Sequence, residues 1–291
     1  MFPKPAPCSE ADVEFLWEKY DEEPDLSAPP DISAEEERLA FRIDDDEGRI
    51  IGGCVLGIDT LRTAEFERLW VDERYRRQGM ASALIREAER TAYEKGCRTA
   101  VNAFNFDFQP ARPLFEKFGY TLCGVSKDWP RGHECYTLIK RLERPTNGPV
   151  PEELSDETRF ATAAGSEEDG KYIADRLEEY NSAFAPRVHP YLDLDIKLTD
   201  EAGGIIAGCI AGVSGWNCAH TDLIWVSKAY RSRGVGSFLI AETEREAREK
   251  GAYIARLDTP ASAAPFFINH GYEITAVYEN EPKWYVMQKR L

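Results

Sequence analysis

Residues Leu69–Ala81 read LWVDERYRRQGMA, and 155 positions later Ile224–Gly236 read IWVSKAYRSRGVG. Each stretch is a short apolar strand ending in Trp-Val, then a polar turn, then Arg-x-x-Gly-x-Ala/Gly opening a helix. The first N–H groups of such a helix have no intrahelical acceptor. Together with the helix dipole they favour an anion by about 0.3–1 kcal/mol per charge. Gly79 and Gly234 let a ligand approach the main chain, and Ala81 and Gly236 are small enough not to block it. One such turn is a weak signal. The same turn twice, each after a strand and before a helix of about four turns, points to two copies of a module that holds a pyrophosphate.

The repeat extends outward from these turns. In the second half, Ser166 with Asp169 forms a capping box for a helix reaching about Ala183, and Pro186 closes it. Tyr191–Thr199 alternates as a half-buried strand, Asp200–Gly204 turns into Ile205–Ser214, and His220–Val226 is the next strand. Val235–Lys250 is an amphipathic helix with its charges massed on one face, and Gly251 stops it. The first half repeats this order, from a helix capped by Ser9, through a hairpin at DDDEG, to the helix ending at Gly96. Before its first helix it has only MFPKPAP, where the second half has a strand. Residues 144–157 (RPTNGPVPEELSDE) carry no periodicity. They divide the chain into a domain of 1–145, a linker of 146–157 and a domain of 158–291.

Composition limits the function. The chain has 291 residues, 43% hydrophobic and 30% charged, with a formal net charge of −16. Length and repeat predict two domains, each able to bury a core. No Lys/Arg-rich run exists, so neither nucleic acid nor an anionic membrane is expected as a partner. The acidic balance suits an amine ligand and serves solubility equally. The apolar runs contain glycines and are too short to span a bilayer, and the N-terminus lacks the apolar region of a signal peptide, so a cytoplasmic location is expected. Seven cysteines without a C-x₂-C pair give no zinc site and no disulfide framework. Cys54 and Cys209, at equivalent repeat positions, read as small core residues.

The turns at Arg76/Gly79/Ala81 and Arg231/Gly234/Gly236, with F-x-x-x-G-Y at Phe115–Tyr120 and Phe267–Tyr272, resemble the GNAT superfamily of N-acetyltransferases. The resemblance covers both halves. Two details are similar to one bacterial branch: Glu179-Tyr180-Asn181 with Leu257-Asp258-Thr259, and Phe108-Gln109 with Gly132-His133. The implied fold is mixed α/β, with two domains, each a mostly antiparallel sheet with flanking helices and two central strands splayed into a cleft. The implied cofactor is acetyl-CoA. Its pyrophosphate would lie on Arg76, Arg77, Gln78, Gly79, Met80, Ala81 and Ser82, and on Arg231, Ser232, Arg233, Gly234, Val235, Gly236 and Ser237. The pantetheine would follow Leu69, Trp70 and Val71, and Ile224, Trp225 and Val226. The implied partner is a small-molecule or peptidyl amine.

Acetyl transfer to an amine needs a positioned neutral amine, a proton acceptor and donors at the thioester carbonyl. Strict strand alternation puts residues 65, 67, 69 and 71 on one face, and 220, 222, 224 and 226 on its counterpart. The candidates there are Glu65 and Glu67 in one copy, His220 and Asp222 in the other. Resemblance favours Glu65, whose place fourteen before the glycine is often glutamate in the superfamily. The intrinsic pKa favours His220. Asp258, ending a strand at the expected mouth, binds a cationic acceptor or caps the next turn, and His133 reads as a loop hydrogen bond. Where the superfamily often places a tyrosine to protonate the thiolate, this chain has Phe115 and Phe267. An enzyme and a CoA-binding sensor therefore both stand as readings. A Rossmann dehydrogenase does not, because no early G-x-G-x-x-G is present.

Overall fold

The computed structural model describes residues 3–22, 37–59, 62–144, 160–278 and 283–291. The expected linker, 146–157, lies outside them. In chain order the first half supplies β1 (Ala6–Pro7), α1 (Glu10–Asp21), β2 (Glu37–Asp44), β3 (Ile50–Ile58), β4 (Thr63–Val71) and α2 (Met80–Glu94). It continues with β5 (Thr99–Phe106), α3 (Arg112–Lys117), β6 (Thr121–Lys127) and β7 (Glu134–Arg141). The second half supplies β8 (Thr162–Gly165), α4 (Glu167–Ser182), β9 (Leu192–Asp193), β10 (Ile196–Thr199), β11 (Ile205–Val213) and β12 (Cys218–Val226). After these come α5 (Val235–Glu249), β13 (Ile254–Pro260), α6 (Ala264–Asn269), β14 (Glu273–Tyr278) and β15 (Trp284–Arg290). The strand absent from the sequence reading is β1, only two residues long. The expected strand Tyr191–Thr199 is broken into β9 and β10, and between them the Asp195 carboxylate accepts the Ala211 N–H at 3.1 Å.

Two strand orders of the same pattern result. One runs β8-β2-β3-β4-β5-β7-β6, the other β1-β10-β11-β12-β13-β15-β14. In the first, β4–β5 is parallel, while β2–β8, β2–β3, β3–β4 and β5–β7 are antiparallel. In the second, β12–β13 is parallel and its flanking pairs are antiparallel. A parallel pair needs a crossover, and α2 and α5 supply it. The apolar stripe of α2 (Leu84, Ile85, Ala88, Ala92) packs on Cys54, Phe66 and Phe115, and that of α5 (Leu239, Ile240, Ala247) on Cys209 and Leu257. Cys54 and Cys209 are core residues as expected, and burial pushes both thiols upward.

The domain boundaries need correction. The chain forms two compact units, but they are not 1–145 and 158–291. Unit A comprises the described residues of Asp31–Val125 and His133–Pro186; unit B comprises those of Met1–Pro30, Ser126–Gly132 and Arg187–Leu291. Each half's sheet thus receives its leading strand and helix from the other half. The physical reason is a matched pair of glycine holes. A Cβ on Gly53 would stand 2.2 Å from Ile173 Cδ1 of α4, and one on Gly208 would stand 2.4 Å from Leu16 Cδ1 of α1. Ile173 packs with Val55 and Trp70 in unit A, and Leu16 with Ile210, Leu223 and Trp225 in unit B. Polar ties fix the same placement. Arg42 donates to Asp169 at 3.1 Å in unit A. In unit B, Lys197 binds Asp12, and with Ser9 it holds that carboxyl down to about 2. The expected capping box Ser166/Asp169 starts α4, and the expected cap Ser9 of α1 also proves to be half of a capping box, with Asp12.

Candidate active site

In each unit the parallel pair comes apart. The β4–β5 ladder runs only from Thr63↔Thr99 to Glu65↔Val101, and the β12–β13 ladder from Cys218↔Ile254 to Thr221↔Leu257. Beyond those points β4 keeps its partner β3 up to Gly52↔Val71, and β12 keeps β11 up to Ala207↔Val226. One edge of Leu69–Val71 and of Ile224–Val226 is therefore paired, while the edge toward the diverging strand faces a notch. Such an edge offers main-chain donors and acceptors to an extended amide-bearing ligand.

The polar turn follows. Gly79 and Gly234 are left-handed N-caps with φ of 77° and 81°, and neither helix has a side-chain cap. Two positions earlier, Arg77 and Ser232 are left-handed as well, at φ 63° and 57°. Left-handed residues so close together make a concave row of N–H groups, suited to an oxyanion. The first intrahelical acceptors are Gly79, for the Ala83 N–H, and Gly234, for Phe238, so the amides of Met80–Ser82 and Val235–Ser237 have no partner within the helix. The motif's first arginines act on the fold. Arg76 Nε donates to the Val71 carbonyl at 3.1 Å, and Arg231 Nε to Val226 at 2.8 Å, tying the loop to the strand end. The copies differ above the turn. The space over Gly236 holds the Phe266 ring, 3.4 Å from where a Cβ would stand.

The expected faces of the central strands are overturned by one extra residue in each. Pairing shifts from Val55↔Arg68 to Leu56↔Phe66, leaving Glu67 unmatched, and from Ile210↔Leu223 to Ala211↔Thr221, leaving Asp222 unmatched. A bulge of this kind reverses the alternation beyond it. Leu69 and Val71 pack with Phe66 on the α2 side, and Trp70 packs with Ile173 on the α4 side. Likewise Ile224 and Val226 join the α5 core, and Trp225 joins Leu16. Residues 65, 67, 69 and 71 therefore do not share a face, nor do 220, 222, 224 and 226. Glu65 and Glu67 remain together on the α4 side. Glu67 is gripped by Arg38, with Nε and Nη2 donating to Oε1 at 3.1 and 3.0 Å. His220 Nε2 lies 3.6 Å from Asp222. Asp258 lies 3.6 Å from the buried Arg256, so its partner here is a cation of the same strand.

Several site residues were not visible in the sequence. At the apex of the unit A notch, Asn102 Nδ2 donates to the Phe66 carbonyl at 3.3 Å. Its Oδ1 is buried with no hydrogen-bond partner among the described residues, whereas the equivalent in unit B is Leu257. The two branch details regroup as well. Tyr180 and Asn181 of α4 meet Phe108 and Gln109, through Gln109 Nε2 donating to Asn181 Oδ1 at 3.0 Å and Tyr180 OH to the Phe108 carbonyl at 3.4 Å. The rings of Phe106, Phe108 and Phe184 stack, with interplanar angles of 16° and 5°. The Arg76 guanidinium lies over the Tyr180 ring at 5.1 Å, joining this wall to the glycine turn. His133 Nδ1 pairs with Asp107 at 2.8 Å. The tyrosine–asparagine pair lies in the second half in sequence but serves unit A in the structure. Phe115 is fully buried, edge-on to Phe66 and Tyr120, and is a core residue.

A notch between splayed parallel strands that ends on an uncapped, left-handed glycine turn suits an extended amide-bearing ligand that carries a pyrophosphate. Residues 7–120 match the acetyltransferase (GNAT) family and residues 196–274 the acetyltransferase (GNAT) domain. A blasticidin-S acetyltransferase of Streptomyces morookaense is 37% identical over 93 residues, 31% of this chain and 68% of that relative. Among solved structures, an acetyltransferase from Bacillus cereus ATCC 14579 is 30% identical, covering 44% of this chain and 94% of its own, with a TM-score of 0.41. PaiA N-acetyltransferase from Thermoplasma acidophilum, in complex with coenzyme A, is 17% identical, with 44% and 80% covered and a TM-score of 0.30. The chain belongs to the GNAT family of acetyltransferases, with the family's domain present twice, and the family's acyl donor is acetyl-CoA. Among the described residues no helix is long and apolar enough to cross a membrane, and no cluster of His, Cys, Asp and Glu is arranged to hold a metal.

Proposed function

We propose that the protein is an acetyl-CoA-dependent N-acetyltransferase acting on a primary amine by direct attack, with unit A as the catalytic unit. The observation that carries acetyl transfer is the splay of β4 from β5 above an uncapped glycine turn, and the buried Asn102 at its apex, where unit B has Leu257, favours unit A. The fit to acetyl-CoA rests on the residues present. The amides of Arg77–Ser82 form the anion cradle, the free edge of Leu69–Val71 suits an amide chain, and the orphan Oδ1 of Asn102 accepts an N–H at the notch apex. When bound, acetyl-CoA supplies a thioester, reactive enough for an amine without covalent help from the protein. The bulge at Glu67 takes main-chain N–H groups out of the ladder beside the notch, where they can polarise a carbonyl oxygen. Glu65 stands on the α4 side near the last parallel pair, placed to handle an amine proton. Tyr180, Phe184 and Phe108 wall the acceptor side.

For unit B we propose a second reading, a CoA-binding module without chemistry. Phe266 lies over Gly236, and leucine rather than asparagine stands at the apex. His220, Asp222 and Asp258 are the residues for catalysis or amine binding if the unit is active. Acetyl-CoA offered with a panel of primary amines, blasticidin S among them because of the relative's name, tests both readings by following free thiol. Gly79→Glu is expected to abolish turnover, because its carboxylate enters the anion cradle, while Gly234→Glu leaves turnover and removes one binding event from calorimetry. Turnover that survives Gly79→Glu and is lost in Gly234→Glu would reverse the assignment.

A further inference from the structure

Resting on the reading of unit A as the catalytic unit, we propose that His133, oriented by Asp107, is the base that takes the first proton from the incoming ammonium. The dyad is assembled from two separated segments. Asp107 follows β5 as it leaves the notch, and its Oδ2 accepts the Glu134 N–H at 3.0 Å while Oδ1 faces His133 Nδ1 at 2.8 Å. A carboxylate held by the main chain and paired with Nδ1 fixes the imidazole as the Nδ1–H tautomer, leaving Nε2 with its lone pair. His133 stands edge-on to Phe108, with centroids 4.9 Å apart, and so belongs to the aromatic wall that continues through Phe184 and Tyr180 to Arg76 of the glycine turn. Its side chain is 29% exposed, open to an arriving solute. Its chain neighbour Glu134 is engaged, accepting from Tyr136 OH at 2.9 Å, and Arg112 lies over the Tyr136 ring. By contrast Glu67 is occupied by Arg38.

The proton count closes. An alkylammonium carries one proton too many to attack; it passes to Nε2 and then to solvent. The neutral nitrogen's lone pair forms the C–N bond to the acetyl carbon as the C–S pair departs on sulfur. The second proton, shed by the new amide nitrogen, is the one left to Glu65, which passes it on to that sulfur as free thiol.

His133→Asn, which keeps a donor for Asp107, is expected to lower kcat/KM about 100-fold or more. Calorimetric affinity for acetyl-CoA and the melting temperature should stay unchanged. The acid limb of the pH–rate profile should flatten. Exogenous imidazole should restore a measurable part of the rate to His133→Ala. Independently of turnover, diethylpyrocarbonate followed by peptide mapping should acylate His133 at Nε2 in the folded wild type, and more slowly in Asp107→Asn. Retention of more than a third of the wild-type rate, or loss without imidazole rescue and with an unaltered pH profile, overturns the proposal alone. An unreactive His133 does so as well. A wild-type protein inert toward every amine overturns the function reading first, and this assignment with it.

Discussion

Glu244 and Lys289 show how single residues lock each unit. Lys289 Nζ donates to both carboxylate oxygens at 2.7 Å, and only 7% of the glutamate and 21% of the lysine side chain is exposed. The ammonium lies 5.5 Å from the Tyr272 ring, and burial followed by the nearby Glu244 pushes that phenol above its ordinary range. Unit A repeats the arrangement with Lys140, Glu89 and Tyr120, with the same 2.7 Å bonds and 5.5 Å ring distance. There burial lifts the Glu89 carboxyl while Lys140 opposes the lift. Removing one member strands the other charge. Lys289→Met should therefore cost on the order of 3 kcal/mol in urea unfolding of unit B, and adding Glu244→Gln should recover much of the loss. An equal loss in the single and double variants would show that packing alone is involved. The sequence pattern put Glu244 on the charged face of α5. Its burial was hidden because the partner lies 45 positions away, on the last strand.

At the scale of elements, the helices and the glycine turns were legible because apolar period and caps are local signals. Three features were not. The left-handed backbone of Arg77 and Ser232 belongs to residue types that rarely adopt it. The bulges at Glu67 and Asp222 add one residue without altering composition, yet they turn the strand beyond them over. The sheet that each leading helix covers was also hidden, because an apolar stripe states that a face is buried but not against what. The glycine holes decide it. Gly208→Val forces Leu16 out of its seat and should cost about 1–3 kcal/mol. Leu16→Ala alone empties the seat, at about 2–5 kcal/mol. The double variant should cost less than the two added together, a coupling measurable by a double-mutant cycle. Amide exchange in Glu10–Asp21 should quicken in Gly208→Val, with Glu167–Ser182 unaffected. Strict additivity, or equal quickening in both helices, would contradict the seat.

At the scale of the molecule, the crossed allegiance of the two leading segments changes what counts as a domain. A sheet takes its strands from one half of the chain and its cover from the other: β8 and α4 serve β2–β7, and β1 and α1 serve β10–β15. The acceptor wall proposed for unit A follows the same rule, since Tyr180, Asn181 and Phe184 come from beyond the linker while Phe108, Gln109 and His133 precede it. The connection is then dispensable once folding is complete, because the halves hold one another through buried Ile173 and Leu16. A protease site inserted between Asn147 and Gly148 and cleaved in the folded protein tests this. The two fragments should co-elute in size exclusion and retain acetyl transfer at the uncut rate, separating only in denaturant. Residues 1–147 expressed alone lack α4 and should neither melt cooperatively nor turn over amine. Adding separately made 148–291 during refolding should restore both. Fragments that part on cleavage, or a first fragment active alone, would mean that each sheet is covered from its own half.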